Sequence, residues 1–174
     1  MVASIFFILS WALVPIGILR YQVKGLRPFL GVNALVGALV CAIYLYEGGI
    51  AGAAMSMAAT SALALQFAIG HKISLPYRVA IAIPFIGAGM YLKEPGYAAW
   101  LPFCAFAIAR AAETFQRDLM LRVILLFCTG LWIIYGAALN LPQIVIFEAL
   151  GFTSNAVGIW RFYIRPRQDP KLVP

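Results

Sequence analysis

The chain has 174 residues, of which 64% are hydrophobic and 11% charged. A water-soluble domain of this length cannot hide so much apolar surface, because its shell must face solvent; a lipid bilayer removes that constraint. The formal net charge of +7 does not read as a nucleic-acid patch, because Lys and Arg sit in short clusters between long apolar runs, the pattern of membrane topology.

The first run, Val2–Leu19, has no Lys or Arg before it and no small-x-small cleavage site after it. It is therefore read as a spanning helix and not as a secretory signal. Six further runs follow: Pro28–Tyr46, Ile50–Gly70, Leu75–Leu92, Gly96–Ala109, Leu119–Leu139 and Pro142–Tyr163. A helix needs roughly 20 apolar residues to cross a bilayer core, and the fifth run is the shortest for that task. Turn chemistry separates several of them, at Gly48-Gly49, at Glu94-Pro95-Gly96 and at Asn140-Leu141-Pro142.

The charges set an orientation. With the N-terminus outside, the cytoplasmic segments hold Arg20, Lys24 and Arg27, then Lys72 and Arg78, then Arg110, Arg117 and Arg122, and finally Arg161, Arg165, Arg167 and Lys171. Only Lys93 of the 13 basic residues is left outside. That is a strong positive-inside asymmetry, and removing one span would spoil it. The aromatic residues agree: Tyr44, Tyr46, Tyr91, Tyr97, Trp100 and Tyr135 fall near the outer boundary, and Tyr21, Tyr77, Trp160 and Tyr163 near the inner one.

A shift of 89 positions lays the first three runs on the last three. Trp11 then falls on Trp100, Tyr46 on Tyr135 and Gln66 on Asn155. Each triad has a basic first connection and a nearly uncharged second one. The remaining fourth run lets the second triad start on the same side as the first. The expected fold is an all-α membrane protein of seven transmembrane helices, arranged as two parallel three-helix repeats joined by a linker helix (3+1+3). It forms one domain over residues 1–174, with repeat 1 at 2–70, the linker at 75–92, repeat 2 at 96–163 and a cytoplasmic tail at 164–174.

Glu148 lies six residues after Pro142, about 9 Å into the last helix. A carboxylate at that depth is costly and faces a bundle interior or a wet cavity, which makes it a candidate proton-carrying group. Asn155, seven residues on, shares its helix face. Structural roles for Glu148, bonding Gln143 or Ser154, remain equally open. Asn155 and Gln66 suit hydrogen bonding to a polar solute, or to each other as helix glue. Trp132 and Trp11 offer stacking surfaces, and Asn33 is a further polar candidate in the second helix.

The small residues Gly48, Gly52, Ala54, Ala58, Thr60, Ser61 and Ala62 suit close helix packing, with a dimer interface as the alternative. Cys41, Cys104 and Cys128 fit no metal spacing and read as packing residues. His71, the single histidine, reads as a solvated loop residue. No nucleotide, dinucleotide or paired-histidine metal motif is present, and no catalytic triad can be assembled, so neither enzyme activity nor a cofactor is expected.

The string Trp132-Ile133-Ile134-Tyr135, followed by Glu148, Asn155 and Arg161, resembles the YgjV-type bacterial inner-membrane proteins, and more distantly the SWEET/PQ-loop superfamily. The resemblance implies a bacterial inner (cytoplasmic) membrane location. SWEET-like carriers place an asparagine in the third helix of each triad, facing substrate. Asn155 matches that role, while Gln66 in the first triad departs from it. Their proline hinges are matched by Pro15 and Pro102, with Pro28 opening the second helix; the sixth helix has no proline. The Pro142-Gln143 pair opens the last helix, whereas the superfamily's PQ motif belongs to the first helix of a triad.

The expected function is a carrier or facilitator for a small polar solute held between the two triads by Asn155, Gln66, Glu148, Trp132 and Asn33. The alternative is a non-transporting membrane scaffold or receptor-like partner, since the superfamily fold also serves a cargo receptor. Expected partners are membrane lipids, met by Arg161, Arg165, Arg167 and Lys171, with a polar solute and a second copy of the chain as further candidates.

Overall fold

A computed structural model describes residues 2–19, 26–69, 74–112 and 118–165. Among them are seven α-helices and no strand: α1 (Val2–Leu19), α2 (Leu26–Glu47), α3 (Ile50–Ile69), α4 (Leu75–Leu92), α5 (Leu101–Ala112), α6 (Asp118–Ala138) and α7 (Pro142–Ile159). Among the described residues, three stretches suffice by length and composition alone to cross a membrane, Leu30–Glu47, Ile50–Ile69 and Leu119–Ala138.

The helix boundaries follow local chemistry. α2 ends where Gly48 takes φ 81°, and the Gly49 N–H donates to the Tyr44 carbonyl at 2.8 Å. α6 ends the same way, with Asn140 at φ 56° and the Leu141 N–H on the Gly136 carbonyl at 2.9 Å. Both are left-handed caps that satisfy orphan carbonyls and turn the chain straight into the next helix. Pro142 then opens α7, where its missing N–H costs nothing. The fifth helix begins later than the run Gly96–Ala109 suggests. Gly96 sits at φ 107° in the loop, a 3₁₀ turn spans Ala98–Trp100, and α5 proper runs over Leu101–Ala112. α7 closes in a π turn, Trp160–Ile164.

The helices pack as a closed ring. α1 lies against α2, α2 against α3, α3 against α5, α5 against α6, α6 against α7, and α7 against α1. α4 lies outside the ring, against α3. Close approach between α2 and α3 depends on Gly37, where a Cβ would meet the Thr60 hydroxyl oxygen at 2.2 Å. Between α3 and α4 it depends on Gly89, which faces Ala54 and Met55. The small-residue face of α3 is thus used inside the molecule. Gly48 lies beyond α2 and before α3, so the Gly48/Gly52 pair is not a helical stripe.

The main core joins Leu13, Val36, Val40, Ile43, Tyr44, Tyr135, Ile144 and Phe147. A second cluster, Met55, Ala58, Ala82 and Phe106, ties α3 to α4 and α5. Outward-facing side chains are largely apolar, including Ile8, Leu35, Ile83, Tyr91, Phe127 and Ile134. A surface of this character suits lipid and not water. Cys41 and Cys128 are buried packing residues, whereas Cys104 is exposed on α5. Arg20, Lys24, His71, Lys72, Arg117, Arg167 and Lys171 lie outside the described residues.

Candidate functional site

The connections 48–49, 93–97 and 139–141 gather at one end of the ring, and Glu94 ties them together. Its carboxylate accepts the Ala51 N–H at 3.0 Å and the Tyr135 hydroxyl. The Tyr135 hydroxyl oxygen in turn accepts the Gly52 N–H at 3.0 Å. Two of the four orphan donors at the α3 N-terminus are so satisfied, and the carboxylate sits at the positive end of the helix dipole. One loop acid therefore holds together α3, α6 and the α4–α5 connection.

Beneath this latch lies an aromatic layer. Tyr44 is fully buried, with ring centroids 5.3 Å from Tyr135 and 5.8 Å from Trp132. Trp132 meets Tyr135 edge-on at 6.1 Å. Gly52 makes room for both tyrosines, since a Cβ there would fall 2.5 Å from Tyr135 and 3.0 Å from Tyr44. Tyr44 and Tyr135 thus face the core and do not serve as interface anchors; their place in the sequence gave the depth but not the direction. The Tyr44 hydroxyl is buried with no hydrogen-bond partner.

The expected site residues divide between this layer and a second one. Glu148 and Asn155 share the buried face of α7, with Ile144, Phe147, Gly151 and Ser154. Trp132 joins the aromatic layer. Toward the opposite end, Asn155 is fully buried, and its Nδ2 donates to the Arg122 carbonyl at 2.9 Å. Its Oδ1 has no partner. Gln66 on α3 is also buried, and its Nε2 has none either. These two amides do not bond each other, and the helices that carry them sit on opposite stretches of the ring. Ser154 Oγ donates to the Ile18 carbonyl at 2.7 Å, fastening α7 to α1.

Asn33 is half-buried on α2, and Trp11 is exposed on α1. Pro15 lies inside α1, and Pro102 is buried at the junction of the 3₁₀ turn with α5. At the far end, guanidinium groups stack on rings, Arg122 and Arg161 on Phe162 and Arg165 on Trp160.

Glu94 and Tyr44 are the site residues that the sequence reading missed. Glu94 had a signal, being an acid beside Pro95-Gly96 on a side with almost no charge. Tyr44 had none, because its isolation arises only where α2, α3 and α6 meet.

The sequence pattern of the family Imp-YgjV, bacterial inner membrane protein, matches residues 4–166. The chain belongs to this family. The match reaches into every helix described above and places the chain, like other YgjV-family proteins, in the bacterial inner membrane. No curated protein and no solved structure gives a match.

Proposed function

We propose that this YgjV-family protein is a carrier or facilitator for a small polar solute, held between two three-helix halves with Gln66 and Asn155 as the contacting amides. The observation that carries the reading is the pair of unsatisfied amide atoms. Gln66 Nε2 is a donor and Asn155 Oδ1 an acceptor, both buried and both without a partner. Buried polar atoms are nearly always paired, so two orphans at positions related by the 89-residue shift suit a hydrogen-bonding guest.

The ring order supports the seven-span 3+1+3 arrangement. The packing of α1 on α2 and α2 on α3 recurs as α5 on α6 and α6 on α7, and the halves meet through α3 with α5 and α7 with α1. α4 is left outside, as suits a linker. The basic residues at the Arg122 end support a cytoplasmic C-terminus, and Arg161 and Arg165 are exposed there to meet anionic headgroups. The scaffold reading has less support, because the small-residue face of α3 is occupied by α2 and α4.

The test is a thermal-shift screen of the detergent-purified protein against small polar metabolites. A ligand that binds only the folded form raises apparent stability. The expected result is a stabilising hit that Asn155→Ala and Gln66→Ala both abolish. A blank across sugars, nucleosides, vitamins and amino acids, or a hit indifferent to both substitutions, overturns the reading.

A further inference from the structure

At the end of the ring away from Glu94, the start of α6 lies beside the end of α7, because α7 returns along α6. Contacts inside and outside the bundle fix that seam. Inside, Asn155 Nδ2 donates to the Arg122 carbonyl at 2.9 Å. At the surface, the Arg122 guanidinium lies 5.8 Å from the centre of the Phe162 ring, and the Arg161 guanidinium lies 5.6 Å from the same centre. Arg165 lies over Trp160 at 5.6 Å. An aromatic face attracts a cation but does not take up the several N–H donors of a guanidinium. Two cations drawn to one ring also repel each other, and an anion set between them relieves that repulsion. Asp118 opens α6 four residues before Arg122, one acid beside three arginines.

The apolar surroundings narrow the choice of anion. Leu119 and Val123 are exposed on α6 beside Arg122 in the sequence, and Trp160, Phe162 and Ile164 are exposed at the end of α7. Guanidinium groups bordered by exposed apolar side chains match an amphiphile, with its phosphate on the arginines and its acyl chains along the helices. A free phosphate uses only half of such a surface. A zwitterionic headgroup brings its own cation to a patch already in excess of positive charge. The bacterial inner membrane of this family supplies phospholipid to this surface.

We propose that Arg122, Arg161 and Phe162 form a binding site for the phosphate of one anionic phospholipid, which bridges the start of α6 and the end of α7. Each guanidinium offers a planar fork of N–H donors to the phosphate oxygens, and Phe162 holds the two beside one another. Arg122 also carries the backbone carbonyl to which Asn155 is bonded, so the bound headgroup braces the seam behind Asn155. The site needs residues from two helices, whereas the general attraction of a basic surface for anionic lipid depends on charge alone.

Native mass spectrometry of the full-length protein tests the site, with release from micelles holding equal amounts of phosphatidylglycerol and phosphatidylcholine. The expected result is one retained phosphatidylglycerol, favoured on the order of tenfold over phosphatidylcholine. Arg122→Gln and Arg161→Gln are each expected to reduce that preference severalfold. Arg27→Gln removes the same charge at the start of α2 and is expected to leave it unchanged. Arg161→Lys keeps the charge but loses the planar fork, so it recovers only part of the preference. Phe162→Leu keeps both charges without the ring and lowers the preference too. Arg161 is exposed, so its variants are expected to fold as the parent does, which circular dichroism checks. Equal retention of the two lipids by the parent, or an equal fall in Arg27→Gln, overturns the proposal. Displacement of the retained lipid by inorganic phosphate marks an ion site and overturns it as well. The lipid assay and the solute screen use different ligands, so the two readings fail separately.

Discussion

Tyr135 shows how much one side chain can hold. Its hydroxyl donates to Glu94 and accepts from the Gly52 N–H, and its ring lies against Tyr44 and Trp132. Tyr135→Phe keeps the ring but leaves the Gly52 N–H and one Glu94 oxygen without that partner. The expected loss is about 1–3 kcal/mol of stability, the cost of an unsatisfied buried group. Glu94→Gln alone should cost less, because an amide oxygen can still accept from Ala51. The two substitutions share one network, so their double-mutant cycle is expected to be non-additive. Denaturant titration in detergent measures this, and additive losses would show that the latch is not cooperative.

Helix pairing depends on a few sites of near contact. α2 meets α3 where Gly37 faces Thr60. A Cβ on residue 37 would fall 2.2 Å from Thr60 Oγ1 but 3.5 Å from Thr60 Cβ. Gly37→Ala is therefore expected to destabilise by about 1–3 kcal/mol, as overpacking does. In a Thr60→Ala background the clash disappears, and the same change should become nearly neutral. A cost that persists in that background would place the strain elsewhere, in backbone or in neighbouring side chains. The seven helices were legible in the sequence because apolar runs and turn residues are local signals. Val2–Leu19 and Leu75–Leu92 emerge with the expected bounds. The start of α5 was not, because Pro95-Gly96 places the left-handed turn after Glu94 and defers regular helix to Leu101.

The whole molecule has two ends that the helices alternate between. Tyr97 lies at the Glu94 end and Arg165 at the other, both exposed and separated by α5, α6 and α7. In a variant whose three cysteines are replaced by alanine, Tyr97→Cys is expected to react with an impermeant maleimide added to spheroplasts. Arg165→Cys should react only after the membrane is opened. Labelling of both from the same side would break the alternation, and labelling in the reverse sense would invert the orientation argued from the basic clusters.

The sequence by itself determined that this chain is helical and membrane-embedded, because hydropathy and the placement of Lys and Arg are properties of residues counted along the chain. It also marked Glu148 and Asn155 as one helix face, since seven residues return a helix almost to the same side. The tertiary structure decided which polar groups meet. That Asn155 turns to the Arg122 carbonyl and not to Gln66 follows from α7 packing on α6, with α3 elsewhere in the ring. That Glu94 caps α3 through Tyr135, above a Tyr44 hydroxyl left alone, follows from a loop and three helices far apart in the chain. Such contacts carry no periodic signal, so only the assembled ring reveals them.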